Sequence, residues 1–231
     1  MTTIGSNLQT VRERIVAACA GAQRPVNEVT LLAVSKTFGP GAVRQAHQAG
    51  QRAFGENYIQ EAVDKIAQLA DLPLEWHCIG PVQSNKTRLV AQHFDWMHTV
   101  DRLKIAQRLS EQRPPELPPL QVCIQVNIDG GPSKSGVAPD EALALAREVA
   151  ALPRLHLRGL MTIPEPVEGF EAQRSVHAQA TALFIQLREA GLPLDTLSMG
   201  MTGDLEAAIA AGSTMVRVGT AIFGGRTRPG G

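Results

Sequence analysis

The chain carries five lysines, and one of them stands apart from the rest. Lys36 directly follows Val29-Thr-Leu-Leu-Ala-Val-Ser35, a run that is apolar at nearly every position, as a strand covered on both faces should be. An amine at the end of such a strand is partly desolvated. Such a position is expected to favour the neutral form, the nucleophile that condenses with a carbonyl to a Schiff base. A lysine that snorkels to the rim of the sheet explains the same pattern about as well. Lys65 and Lys104 read as solvated positions on helices, and Lys86 and Lys134 as loop or helix-start positions.

A second group near the C-terminus could hold an anion. Ser198 and Thr202 supply hydroxyls, Gly200 and Gly203 let backbone N–H groups approach, and a helix from about Asp204 points its positive end at the same place. Gly219 and Thr220, after a further apolar run, add donors. A glycine-rich turn with Asp204 as a helix-start residue is the plainer reading of the same stretch. Arg217 stands inside the apolar run Met215-Val-Arg-Val218, where a charge needs a partner. That partner is either an interior carboxylate such as Glu56 or a ligand. The six histidines show no metal-ligand spacing, and the few aromatics are not interleaved with basic residues, so neither a metal site nor nucleic-acid stacking is expected.

Elements that would position these groups follow from hydrophobic periodicity. Strands are expected at 29–35, 52–55, 74–79, 96–99, 121–127, 156–162, 196–198 and 215–218. Helices are expected at 41–49, 57–69, 85–93, 102–112, 140–150, 170–190 and 204–210, with one more at 6–20 before the first strand. Eight evenly spaced βα units make a single α/β domain over 1–231, a (β/α)8 barrel with an extra N-terminal helix; a doubly wound sheet is the alternative. In a barrel the C-terminal strand ends carry function. Here those ends are polar: Ser35-Lys36-Thr37, Gly55-Glu56-Asn57-Tyr58, His77-Cys78-Ile79-Gly80, Ser133-Lys134, Ser198 to Asp204, and Gly219-Thr220.

Composition narrows the class. Lys+Arg and Asp+Glu both number 22, so nothing favours a polyanion or an anionic membrane as partner. Three scattered cysteines suit a reducing cytosol better than a disulfide framework, and a cytoplasmic location is expected. Neither a signal peptide nor a membrane-spanning apolar stretch is expected.

Several motifs agree in order along the chain: Ala33-Val-Ser-Lys-Thr37, Phe54-Gly-Glu-Asn-Tyr58, His77-Cys-Ile-Gly80 with Gln83-Ser-Asn-Lys86, Leu197-Ser-Met-Gly-Met-Thr202, and Val216-Arg-Val-Gly-Thr-Ala-Ile-Phe-Gly224. Together they resemble the pyridoxal phosphate homeostasis protein family, whose barrel is similar to that of alanine racemase, the fold type III barrel that binds pyridoxal 5′-phosphate (PLP). The resemblance implies that Lys36 forms the internal aldimine, that Ser198, Thr202, Gly219 and Thr220 surround the phosphate, that Arg217 faces the pyridine nitrogen, and that Asn57 lies near the ring. Thr202 stands where the family usually has Ser, which keeps the hydroxyl, and Pro132 replaces a usual acidic residue. The resemblance further implies a monomer that stores, buffers or delivers PLP, with transient contact with PLP-dependent enzymes, and is not itself an enzyme. A vestigial amino-acid racemase is the alternative. Racemisation needs a base on each face of the substrate carbon, and this chain has one tyrosine, Tyr58.

Overall fold

The computed structural model describes residues 3–132 and 135–225. Eight strands are present: β1 Thr30–Val34, β2 Ala53–Glu56, β3 Glu75–Cys78, β4 Trp96–Val100, β5 Leu120–Gln125, β6 Leu155–Met161, β7 Thr196–Ser198 and β8 Met215–Val218. Each pairs in parallel with the next, and β8 returns to β1 through Thr30↔Met215 to Ala33↔Val218, so the sheet closes on itself. Closure decides for the barrel over the doubly wound sheet. The helices α2 Pro40–Gln48, α3 Ile59–Gln68, α4 Thr87–His93, α5 Leu103–Gln112, α6 Ala142–Ala150, α7 Phe170–Glu189, α8 Leu205–Ala211 and α9 Thr220–Phe223 follow the strands in turn, with α1 Ile4–Gly21 before them.

The near-continuous apolar character of the strands has two sources. One face of each strand packs on the helix ring in a large buried cluster. The other face contributes Leu32, Val34, Ala53, Ile79, Trp96, Cys123, Met161 and Met215 to a smaller cluster inside the barrel. Burial of this kind gives roughly 25 cal/mol per Å² of apolar surface. Cys19, Cys78 and Cys123 are all buried and free.

Differences from the sequence reading are local. The second helix after the barrel begins starts at Ile59, not Asn57, because Asn57 and an extended Tyr58 form the β2–α3 turn. Ser133 and Lys134 lie outside the described residues. Lys65, read as solvated, is buried at 3% exposure. It occupies the inner stripe of α3 with Ile59 and Ala62, where an ion pair with Glu56 compensates its charge.

α1 does more than cover one end. Leu8, Val11, Ile15 and Cys19 recur every three or four residues and bury its inner face, and it packs against α8 and α9. From that position Arg14 donates to the Thr202 carbonyl at 2.9 Å while its guanidinium pairs with Glu206 at 2.7 Å. Asn7 donates to the Ile222 carbonyl at 2.9 Å. The loops after β7 and β8 are thus tied down from outside the barrel.

Gly200 starts the β7–α8 loop with φ +99°, and a Cβ there would sit 2.5 Å from the Ala208 Cβ. No L side chain suits that conformation, and the neighbour is helix-borne. Gly200→Ala is therefore expected to lower stability by at least about 1–3 kcal/mol, read as a shift of the urea midpoint. An unshifted midpoint would show that the loop can be rebuilt without glycine.

Candidate functional site

A cavity of about 390 Å³ opens at the C-terminal mouth, lined by Lys36, Asn57, Thr202, Arg217, Gly219 and Thr220, with Val34, Ile79 and Ile163 as apolar walls. Strand pleating explains the selection. Side chains alternate across a strand, so at the ends of β1 and β2 the pairs Ser35-Lys36 and Glu56-Asn57 split. Ser35 and Glu56 face α3 and bond there to Lys65, while Lys36 and Asn57 face the cavity. Lys36 is half-buried. Gly80 permits the close approach of the next loop, since a Cβ at Gly80 would lie 2.4 Å from the Asn57 carbonyl oxygen.

The cavity offers donors on one side. Among the described residues, the amides of Thr202, Gly203, Gly219 and Thr220 donate to no backbone or side-chain acceptor, and the Thr202 side chain is beside them. Met201 instead gives its amide to Asp204 Oδ1 at 2.7 Å, and Asp204 Oδ2 pairs with His177 Nε2 at 2.8 Å. Asp204 is thus a loop brace as well as the residue that opens α8. With seven residues α8 is short, so the loop amides, more than a helix dipole, make this wall anion-selective. On the opposite side Asn57 Oδ1 is buried without a partner. A ligand with a phosphate, a polar ring and a carbonyl matches this set: amide donors for the phosphate, a buried amide side chain and a guanidinium for the ring, and an amine for the carbonyl.

Ser198, expected beside the phosphate, lies deeper. It is fully buried and does not line the cavity. Its hydroxyl lies inside the barrel, accepting from Arg217 Nη1 at 2.7 Å and contacting His98 Nδ1 at 2.9 Å. Nor is Glu56 the partner of Arg217, whose second nitrogen donates to the Thr162 carbonyl at 2.9 Å. Of the seven residues expected at the site, six line one cavity, and Ser198 supports one of these, Arg217, from beneath.

The serine belongs to a chain of hydrogen bonds through the barrel that the sequence reading missed. His98 Nε2 meets His77 Nδ1 at 2.9 Å, and His77 Nε2 meets Glu75 Oε1 at 2.7 Å. The His77 bond holds the Glu75 carboxyl below the usual carboxylate range, so it is ionised and only accepts. That fixes the direction of the whole chain. Arg217 donates to Ser198, Ser198 to His98, His98 to His77, and His77 to Glu75. Both histidines are then neutral with the proton on Nε2. Burial pushes the pKa of each below the ordinary imidazole value, His98 further, with neighbouring charge adding to the effect there. Burial also pushes Arg217 down to about 10, which leaves it charged at neutral pH. The alternation His77, His98, Ser198, Arg217 across four strands was a signal in the sequence, visible once the strands are set in register.

Fold and cavity together define a class: a parallel barrel of the alanine racemase type, with an amine and a donor-rich loop at its mouth. The model for the alanine racemase N-terminal domain matches residues 6–227. The chain belongs to the pyridoxal phosphate homeostasis protein family. It is 60% identical over 226 residues to the member from Pseudomonas aeruginosa, covering 98% of this chain and 97% of that one. It is 57% identical over 229 residues to the member from Escherichia coli K12, covering 98% of each. Among solved structures, PipY of Synechococcus elongatus PCC7942 with PLP bound superposes with a TM-score of 0.84 at 38% identity, over 96% of this chain and all of that one. Alanine racemase from Corynebacterium glutamicum superposes at 0.64 with 19% identity over 93% of this chain and 60% of the enzyme, a likeness of fold.

A pH dependence follows from the two neutral histidines. Their folded pKa values lie below 6.5, so the stability they contribute is fully present above about pH 6.5 and is lost as pH falls through the folded values. Unfolding free energy from urea titrations is expected to fall between pH 7 and 5.5, by up to about 1.4 kcal/mol per pH unit for each histidine. His98→Gln should flatten that slope. An unchanged slope in His98→Gln would mean that other groups carry it.

Proposed function

We propose that this chain binds pyridoxal 5′-phosphate in the mouth cavity through a Schiff base on Lys36 and serves as a store or carrier of the cofactor. The observation that carries the reading is the placement of the Lys36 side chain and the unpaired amides of Thr202, Gly203, Gly219 and Thr220 on one cavity. Those amides and the Thr202 hydroxyl hold the phosphate, Arg217 faces the ring nitrogen, and Asn57 lies beside the ring. The names of the curated relatives and the PLP-bound PipY structure support PLP as the ligand.

When bound, PLP supplies an aldehyde carbon for an amine and a conjugated ring that works as an electron sink. The residues here favour holding over reacting. Arg217 only donates, so it keeps the ring nitrogen unprotonated and weakens the sink. Tyr58 is half-exposed and does not line the cavity, so it is poorly placed as a second base for racemisation. On this reading the protein acts as a monomer and passes its ligand on in transient contact with PLP-dependent enzymes.

Borohydride reduction followed by peptide mass mapping is expected to place the label on Lys36, and Lys36→Ala to abolish it. A label mainly on Lys86 would overturn the assignment. Thr202→Ala removes a hydrogen bond to a charged acceptor, about 1.5–3 kcal/mol. PLP affinity should fall accordingly while pyridoxal, which lacks the phosphate, binds wild type and variant alike. Equal losses for both ligands would move the phosphate site elsewhere.

A further inference from the structure

Lys65 is the deepest lysine among the described residues, and nothing in the cavity touches it. Its Nζ donates to Glu56 Oε1 at 2.5 Å and to the Ser35 carbonyl at 3.0 Å, and lies 3.4 Å from Glu61 Oε1. The Ser35 hydroxyl donates to the same Glu56 oxygen at 2.8 Å. Glu61 Oε1 in turn accepts the amide of Thr37 at 3.0 Å. Both chain neighbours of Lys36 are therefore fastened to one ion-pair cluster, the preceding residue by its carbonyl and hydroxyl at the buried Lys65–Glu56 pair, the following residue by its amide at the exposed Glu61.

Thr37 has φ +68°. A β-branched residue in the left-handed region is a true outlier, and such strain persists only where the surroundings impose it. The Glu61 carboxylate on the Thr37 amide is the restraint at hand. The buried pair has no ready explanation in stability. Two charges removed from water regain little, and apolar residues of the same volume often serve as well or better.

We propose that Lys65, with Glu56 and Glu61, positions Lys36, fixing the backbone on both sides of it so that its amine is aimed at the carbonyl carbon of the bound ligand. This rests on the Schiff-base reading above. In the step concerned, the Lys36 nitrogen forms a C=N bond to the aldehyde carbon, and the aldehyde oxygen leaves as water with the two amine protons. A positioning cluster acts on that step and leaves the affinity of the phosphate and ring contacts alone, because Thr202, Arg217, Gly219 and Thr220 belong to the β7–α8 loop, β8 and the start of α9.

Two ligands separate the effects. PLP reports imine formation by its visible absorption and by the borohydride-trapped fraction. 4′-Deoxypyridoxine 5′-phosphate keeps the ring and phosphate but has a methyl group in place of the aldehyde, and reports cavity affinity by calorimetry. Lys65→Met alone leaves Glu56 buried without its cation, so the double variant Glu56→Leu/Lys65→Met is the decisive one, with Lys65→Arg as the conservative control. The double variant is expected to bind the analogue within about threefold of wild type while the imine formation constant and rate drop about tenfold or more, the scale on which small misplacements of reacting groups act. Lys65→Arg should recover part of the loss. Imine formation equal to wild type in the double variant overturns the proposal, and so does an equal loss of analogue and imine, which would make the cluster a general support of the cavity. Wild-type protein that binds the analogue but forms no imine refutes the Schiff-base reading itself, and the positioning role falls with it.

Discussion

A guanidinium enclosed in a parallel barrel is the constraint around which the upper half of this structure is arranged. Arg217 is buried, and among the described residues no carboxylate forms an ion pair with it. An unpaired interior charge would cost several kcal/mol. Here the charge is spread through hydrogen bonds to Ser198 and the Thr162 carbonyl, and onward through His98 and His77 to Glu75 at the start of β3. The chain works only if every member keeps one polarity, so it fixes two tautomers, one hydroxyl rotor and the plane of the guanidinium together. Its members come from β3, β4, β7 and β8, which makes correct barrel closure a condition for the site.

Much of this was legible in the sequence, for reasons that can be named. The strands announced themselves because both of their faces are buried. Lys36, Asn57, Thr202, Gly219 and Thr220 line the mouth cavity because polar residues just past a buried run sit at a strand end. Ser198, expected among the phosphate donors, lies inside the barrel against Arg217, since it closes an apolar strand just as Lys36 follows one. Sequence order does not say on which side of the last strand residue the mouth begins. Lys65 was missed although a sign was present. Ala62, Lys65 and Leu69 fall on one stripe of α3, and a lysine inside an apolar stripe calls for a buried carboxylate. Glu56, in the apolar run two residues before Tyr58, was that carboxylate. The reading had offered it to Arg217 because pairing across a barrel depends on pleat, and Glu56 points to the helix side while Arg217 points inward.

The loops at the mouth divide their tasks in the same way. The β7–α8 loop is held from three directions: Arg14 of α1 grips the Thr202 carbonyl, Asp204 takes the Met201 amide, and His177 of α7 holds Asp204. With carbonyls and the first amide engaged outward, the amides left over are the ones that line the cavity. The donor character of this wall is thus a by-product of how the loop is fastened, and it is supplied by backbone amides. That wall keeps its polarity at any pH at which the fold persists, because backbone amides do not titrate.

The two lysines near the site show the opposite arrangement of charge. Lys65 is locked between Glu56, Ser35 and Glu61 on the helix side of the barrel wall, and Lys36 is half-buried on the cavity side. One residue of pleat separates a buried, ion-paired environment from the cavity that Lys36 lines. A side chain with four rotatable bonds reaches a ligand in a reproducible direction only if its backbone is fixed, and the backbone at Lys36 is fixed on both flanks, to the point of holding Thr37 in a strained conformation. A fixed backbone beneath a half-buried side chain sets the direction from which that amine enters the cavity.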